Sequence, residues 1–294
     1  DVGQMQEWAQ SAVQTAREYC QAHQKELNKF ANFKSNHLSL VREDGALDLY
    51  HGYLRATDAS GEIIFDQIDY RQFNHYLMEA VKPWSYMKFP FIKSRGHLDG
   101  WYRVGPLSRL NNASFIDTPL ANDELATYRA YSNGQPNHMT LAYHWARMIE
   151  VLHCVEKIRD LLLDSDLQGT ELQVGGSRQE EGVGVIEAPR GTLFHHYKVD
   201  KNDQVRYCNL IVSTTHNNEG MNRAVTDVAR RYLSGCKTIS EGLLNHIEVA
   251  VRAYDPCLSC ATHALGQMPL VVEIFNADGE LSGSSQQHMQ SKDF

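Results

Sequence analysis

Near the end of the chain, Tyr254-Asp255-Pro256-Cys257-Leu258-Ser259-Cys260-Ala261-Thr262-His263 places three metal-binding side chains at successive three-residue steps. If Pro256 opens a helical turn, this spacing returns Cys257, Cys260 and His263 to nearly one face. Backbone N–H groups at such a helix start lower a thiol's pKa and favour the thiolate, the form that binds metal. The spacing of the two sulfurs suits two ligands on one soft ion. A redox dithiol and a fortuitous pair are the alternatives. A thioredoxin-like dithiol belongs early in a chain, after a strand in a βαβ unit, whereas this pair lies late and follows a helical pattern. A closed tetrahedral thiolate site needs more ligands, and the sequence holds no second Cys-x-x-Cys. Cys20, Cys154, Cys208 and Cys236 stand alone and read as packing residues, Cys20 and Cys154 on the apolar faces of helices.

A second group is Gly182-Val183-Gly184-Val185-Ile186-Glu187-Ala188-Pro189-Arg190-Gly191. It lacks the third glycine and the following helix of a dinucleotide fingerprint. Pro189 stiffens the chain and Gly191 permits a tight turn, so Arg190 stands on a rigid corner that aims a permanent charge at one point. An ordinary salt bridge is the other reading of Arg190. His195 and His196 are adjacent in a strand and point to opposite faces, which argues against one shared metal. Ser213-Thr214-Thr215-His216-Asn217-Asn218 ends a strand with hydroxyls and amides, suited to a helix cap or a polar pocket.

The elements that must carry these groups are legible in outline. Trp8, Ala12, Val13, Ala16, Tyr19, Cys20, Leu27 and Phe30 have the spacing of one long amphipathic helix. From Leu38, short apolar runs broken by Glu43-Asp44-Gly45 and Asp58-Ala59-Ser60-Gly61 predict a small antiparallel meander. Tyr70 to Val81 reads as a helix stopped by Pro83. Residues 84–137 are aromatic without clear periodicity and read as packed loops. Leu141 to Leu162 is the strongest helix. A second β region spans Val183 to Val212 with a turn at Lys201-Asn202-Asp203, and helices follow at about 221–234 and 240–252. From about Asn276 the composition reads as a mobile tail.

Composition narrows the partners. The 294 residues hold 28 Lys+Arg against 36 Asp+Glu, a net charge of −8, and 42% are hydrophobic. That supports a sizeable core and one large or two ordinary domains. The acidic balance argues against general nucleic-acid binding. No apolar run approaches the ~18–20 residues of a membrane span. Six cysteines are too few for a disulfide scaffold in a chain of this size. The chain opens on Asp1 rather than Met and enters a helix at once, as a piece cut from something longer would.

Four motifs carry a resemblance that covers nearly the whole chain. They are Tyr102-Arg103-Val104-Gly105-Pro106-Leu107-Ser108-Arg109-Leu110-Asn111, Glu187-Ala188-Pro189-Arg190-Gly191, Asn209-Leu210-Ile211-Val212-Ser213-Thr214-Thr215 and Asp255 to His263. In this order they resemble the large subunit of [NiFe] hydrogenases, most closely the NAD-linked, bidirectional cytoplasmic group. The resemblance implies an α+β, helix-dominated fold: a long-helix bundle with small antiparallel sheets. It implies reversible oxidation of H2 at nickel held by four cysteine thiolates, two of them bridging to an iron that carries CO and cyanide.

By the same resemblance, Cys257 is the terminal nickel ligand and Cys260 a nickel–iron bridge. His263 binds a nearby Mg²⁺ or second iron, beside the Leu210 carbonyl. Arg190 lies over the open face of the metals, Thr214 donates to a cyanide, and Asp255 and Pro189 complete the surroundings. The partners implied are an iron–sulfur small subunit, diaphorase subunits and a maturation endopeptidase. The family's other Cys-x-x-Cys pair lies upstream of Asp1. The family's mature chain ends at the histidine matching His263, so residues 1–263 read as the C-terminal part of the large-subunit domain. Residues 264–294 read as an extension removed on maturation, with Leu265, Met268, Leu270, Val271 and Ile274 able to dock it. Other readings are a hydrogenase with a different electron acceptor, a metal-free respiratory-complex relative and a non-catalytic metal-binding module. The cysteine pair speaks against the respiratory-complex relative.

Overall fold

The Asp1 carboxylate accepts a hydrogen bond from the Gly3 N–H at 3.0 Å and so caps α1 (Val2–Ala22). The computed structural model describes residues 1–236, 240–257, 270–275 and 278–287. Ala9, Val13 and Cys20 form the buried stripe of α1. Trp8 and Tyr19, expected on that stripe, are 63% and 57% exposed. Small residues form the seam because α1 packs closely along α7, and the large rings flank it. The helix also ends earlier than its periodicity suggests. His23 leaves helical geometry, and buried Leu27 belongs to a separate turn, α2 (Gln24–Leu27).

The meander is present as β1 (Asn36–Val41), β2 (Tyr53–Thr57) and β3 (Ile63–Ile68), all antiparallel. The predicted helix over Tyr70 to Val81 is not. One 3₁₀ turn, Tyr70–Gln72, and α3 (Phe73–Tyr76) give way to β4 (Leu77–Lys82), which pairs with β5 (Ser85–Ile92). Pro83 and Trp84 connect a hairpin rather than stop a helix. Cross-strand partners such as Met78 with Phe91 and Ala80 with Phe89 override the local three-residue spacing.

The stretch expected as loops is also more regular than its composition suggests. It holds β5, α4 (Gly96–Asp99), β6 (Tyr102–Arg103), α5 (Pro106–Asn112) and α6 (Pro119–Tyr131). Pro106 and Pro119 open their helices. Buried Arg109, Asn112 and Glu124 interrupt the apolar periodicity that would have revealed them. β6 lies parallel to β1, the one parallel pairing among the described strands.

α7 (Ala142–Leu162) buries Trp145, Ile149, Leu152 and Val155. Ile158 and Leu162 of the expected stripe are exposed. The second β region forms as predicted: β7 (Glu181–Ala188), β8 (Gly191–Val199) and β9 (Val205–Ile211) make a three-stranded antiparallel sheet. Next come α8 (Ser213–His216), α9 (Asn218–Val228), a π-helical turn at Ala229–Leu233 and α10 (Glu241–Arg252). β10 (Leu270–Phe275) pairs with β11 (Leu281–Gln287), so the region beyond Asn276 contains a strand where a mobile tail is expected. The Asp278-Gly279 step between them is ordinary hairpin-turn chemistry.

Two cores result. One joins α1, α5, α6, α7, α9 and α10. The other gathers β1–β3 with Phe73, Leu77, Ile92, Tyr102, Phe194 and Ile211. The architecture is α+β and helix-dominated, as the sequence suggests.

Candidate metal centre

Pro189 and Arg190 are the two-residue link between β7 and β8, whose last facing pair is Ala188 and Gly191. The corner is held from several sides. Gly191 has φ +134°, and a Cβ there would collide with Val104. Gly105, with φ +92°, approaches so closely that its Cβ would stand 2.8 Å from the Arg190 carbonyl oxygen. Only glycine fits both positions. Ser213 Oγ donates to the Gly191 carbonyl at 2.6 Å. Arg109 donates to the carbonyls of Ala188 at 2.9 Å and Pro189 at 3.4 Å.

From this corner the Arg190 side chain reaches Asp255. Its Nε donates to the Asp255 backbone carbonyl and lies 3.4 Å from Oδ2, and Nη2 lies 3.5 Å from Oδ1. Both side chains are more than a third exposed, so the pair adds little stability. What it contributes is direction. Asp255 itself sits in a left-handed conformation, φ +51°. Next along the chain, half-buried Cys257 donates its backbone N–H to Thr214 Oγ1 at 3.1 Å. Thr214 is 2% exposed within the fully buried α8. Arg190, Thr214, Asp255 and Cys257 are thus brought together, with exposed Pro189 beside them. Leu210 faces His195 in β9, which ends at Ile211 just before Ser213 begins α8.

Cys260 and His263 lie outside the described residues, as do Leu265 and Met268. Asp255–Cys257 is not helical, and the remainder of the expected turn falls outside the described residues as well. Among the described residues no three His, Cys, Asp or Glu side chains are grouped to hold a metal. Cys257 is the one described thiolate candidate of the motif.

Other sequence readings sort clearly. His195 is exposed and His196 buried, with Nε2 2.7 Å from Glu181 Oε1, so the two do point apart. Cys20 is buried, and burial pushes its thiol up to about 11. Cys154 and Cys236 are half-buried. Cys208, expected to be a packing residue, is exposed; it lies on the edge strand β9, whose residues 205–208 are exposed on both faces. The polar run Ser213–Asn218 is entirely buried. It lines the structure behind the site rather than capping α8 or α9 through a side chain. Asn217 Oδ1 accepts the Val104 N–H at 3.0 Å.

The largest feature that residue-by-residue reading missed is a buried charge cluster. Arg109 grips Glu150 with two hydrogen bonds, 2.6 and 2.5 Å, and reaches Glu187 Oε2 at 2.7 Å. Burial pushes the Glu187 carboxyl up, opposed by the Arg109 charge. Arg109 and Glu187 both lie within the motifs above, and Glu150 is a charged residue on the buried face of α7. Those positions were the available signal. Within the polar run, His216 holds a specific partner. Its Nδ1 is 2.6 Å from the Tyr102 hydroxyl, and burial lowers its pKa to about 3, keeping it neutral.

The sequence profile of nickel-dependent hydrogenases matches residues 3–263. The chain belongs to the nickel-dependent hydrogenase family. It is 47% identical to the beta subunit of the NAD-reducing hydrogenase HoxS of Cupriavidus necator, over 95% of this chain and 58% of that protein. It is 40% identical to a polypeptide of the F420-non-reducing hydrogenase of Methanothermobacter thermautotrophicus, over 87% of this chain and 54% of that protein. The fold matches a crystal structure of an NAD+-reducing [NiFe]-hydrogenase in the H2-reduced state with a TM-score of 0.85 and 52% identity. That match covers 89% of this chain and 58% of the other. The chain therefore spans somewhat more than half the length of the hydrogenase subunits it matches. No helix among the described residues is long and apolar enough to cross a membrane.

Proposed function

We propose that this chain is part of the catalytic subunit of a cytoplasmic, NAD-linked hydrogenase that interconverts H2 with two protons and two electrons. The electrons would pass through an iron–sulfur small subunit to diaphorase subunits, which reduce NAD+. The observation that carries this reading is the convergence of Arg190, Thr214, Asp255 and Cys257 from three separate parts of the chain. The identity to hydrogenase subunits supports it.

The donor chemistry fits the metals. Cys257 and Cys260 offer soft thiolates, as nickel and iron require, and would supply two of four sulfur ligands. His263 and the Leu210 carbonyl would hold a Mg²⁺ or second iron. When bound, the nickel–iron pair with its CO and cyanide ligands supplies the acceptor for heterolytic H–H cleavage. The chain's own groups do the rest. Arg190 presents a fixed cation, and Asp255 fixes its direction. Cys257 Sγ can hold the proton released from H2. Thr214 fixes the Cys257 backbone through its hydroxyl oxygen and keeps its own O–H to donate to a cyanide. Pro189 stiffens the corner from which Arg190 extends. Residues 1–263 would form the working domain, and an endopeptidase would remove 264–294 on maturation.

The deciding experiment is metal analysis of the complete parent subunit, purified with its iron–sulfur partner. Cys257→Ser is expected to abolish nickel retention. Normal nickel content with normal H2 uptake in that variant would overturn the assignment.

A further inference from the structure

We infer that Arg109 is a positioning residue that aims the Arg190 guanidinium, an inference that rests on the role proposed for Arg190 above. Arg109 is 1% exposed, Glu150 8% and Glu187 0%. Its guanidinium spends Nε and Nη2 on the two oxygens of Glu150, which anchors it to α7. Nη1 binds Glu187 Oε2 and the Ala188 carbonyl, and Nη2 also reaches the Pro189 carbonyl. These are the backbone positions immediately before Arg190.

The other Glu187 oxygen, Oε1, accepts the Leu40 N–H at 2.9 Å and the Thr192 hydroxyl at 2.7 Å. Thr192 follows the turn. One ionic node therefore grips the hairpin on both sides of Arg190 and ties it to β1, α5 and α7. Buried ion pairs are weak stabilisers, because desolvation offsets their attraction. A planar fork does fix direction, which a point charge on a flexible stem does not. Arg109 touches none of the Asp255 or Cys257 contacts itself, so its effect on the site runs through the Arg190 corner.

The test uses the complete subunit with its partners and compares Arg109→Lys, Arg190→Lys and the double variant. The readouts are nickel content, H2 turnover per bound nickel, and the infrared bands of the iron's CO and cyanide ligands. Arg109→Lys is expected to retain nickel, shift those bands and lower turnover per nickel on the order of tenfold or more, as small misplacements of reacting groups do. On the Arg190→Lys background it should cause no further loss, because coupled residues are non-additive. Unchanged turnover and bands, or a full additive loss in the double variant, would overturn the positioning role and leave a structural one. Undiminished turnover in Arg190→Lys alone would instead overturn the reading of Arg190. Should Arg109→Lys fail to accumulate, Glu150→Gln, which keeps the shape and one acceptor, carries the same comparisons.

Discussion

The carbonyl oxygen of Arg190 lies 2.8 Å from the point where a side chain on Gly105 would begin. The two residues are far apart in sequence, yet their backbones come so close that no side chain fits between them. Gly105 also has φ +92°, a region that costs other residues conformational energy. Gly105→Ala should therefore destabilise the protein by about 1–3 kcal/mol and push the Arg190 corner outward. Thermal unfolding and turnover per bound nickel of the complete enzyme measure both effects. An unchanged melting temperature would contradict the close contact.

Arg190→Lys keeps the charge but loses the planar group that reaches both the carbonyl and the carboxylate of Asp255. Metal content is expected to remain normal while H2 turnover falls sharply. A lysine enzyme as fast as its parent would remove Arg190 from the reaction.

Buried His37 and His216 and half-buried His138 make stability depend on pH. His138 is lowered to about 4, and His216 to about 3, chiefly by burial. His37 is lowered as well, by burial and by neighbouring Arg103 and His138. All are neutral when folded, whereas an unfolded histidine titrates near 6.5. Between the two values the unfolded chain binds more protons, so stability is full above about pH 6.5 and declines as the pH falls toward the folded values. The slope is roughly 1.4 kcal/mol per pH unit for each histidine. Urea midpoints between pH 7 and 5 should fall, and His138→Gln should flatten the dependence by one proton. Parallel curves for parent and variant would show that His138 does not contribute.

Mass spectrometry of the active subunit should find a C-terminus at His263. An active subunit that retains Phe294 would refute the proposed processing.

Much of this arrangement is visible in the amino-acid order, and the exceptions have physical causes. α7 is legible because its apolar positions keep the helical period, and the β7–β9 sheet because short apolar runs flank the Lys201-Asn202-Asp203 turn. Arg190 and Cys257 stand out through their neighbours, Pro189 with Gly191, and Cys260. The strand at Leu77–Lys82 is not legible, because its identity depends on Phe89 and Phe91 across the hairpin. α5 and α6 are hidden because Arg109 and Glu124 are buried by their partners rather than by apolar character. The approach of Thr214 to Cys257 is a contact across 43 positions, which local spacing cannot encode. The roles of Cys260 and His263 rest on sequence alone.

The Thr214 contact has one more consequence. A hydroxyl carries two lone pairs but a single hydrogen. With one lone pair engaged by the Cys257 peptide, turning the hydroxyl about either the Cα–Cβ or the C–O bond would weaken that link, so the lone hydrogen is held pointing away from the peptide. Polarity at this point thus has a heading. Valine would match threonine in volume, but it would withdraw the hydroxyl acceptor from the Cys257 peptide and erase that heading.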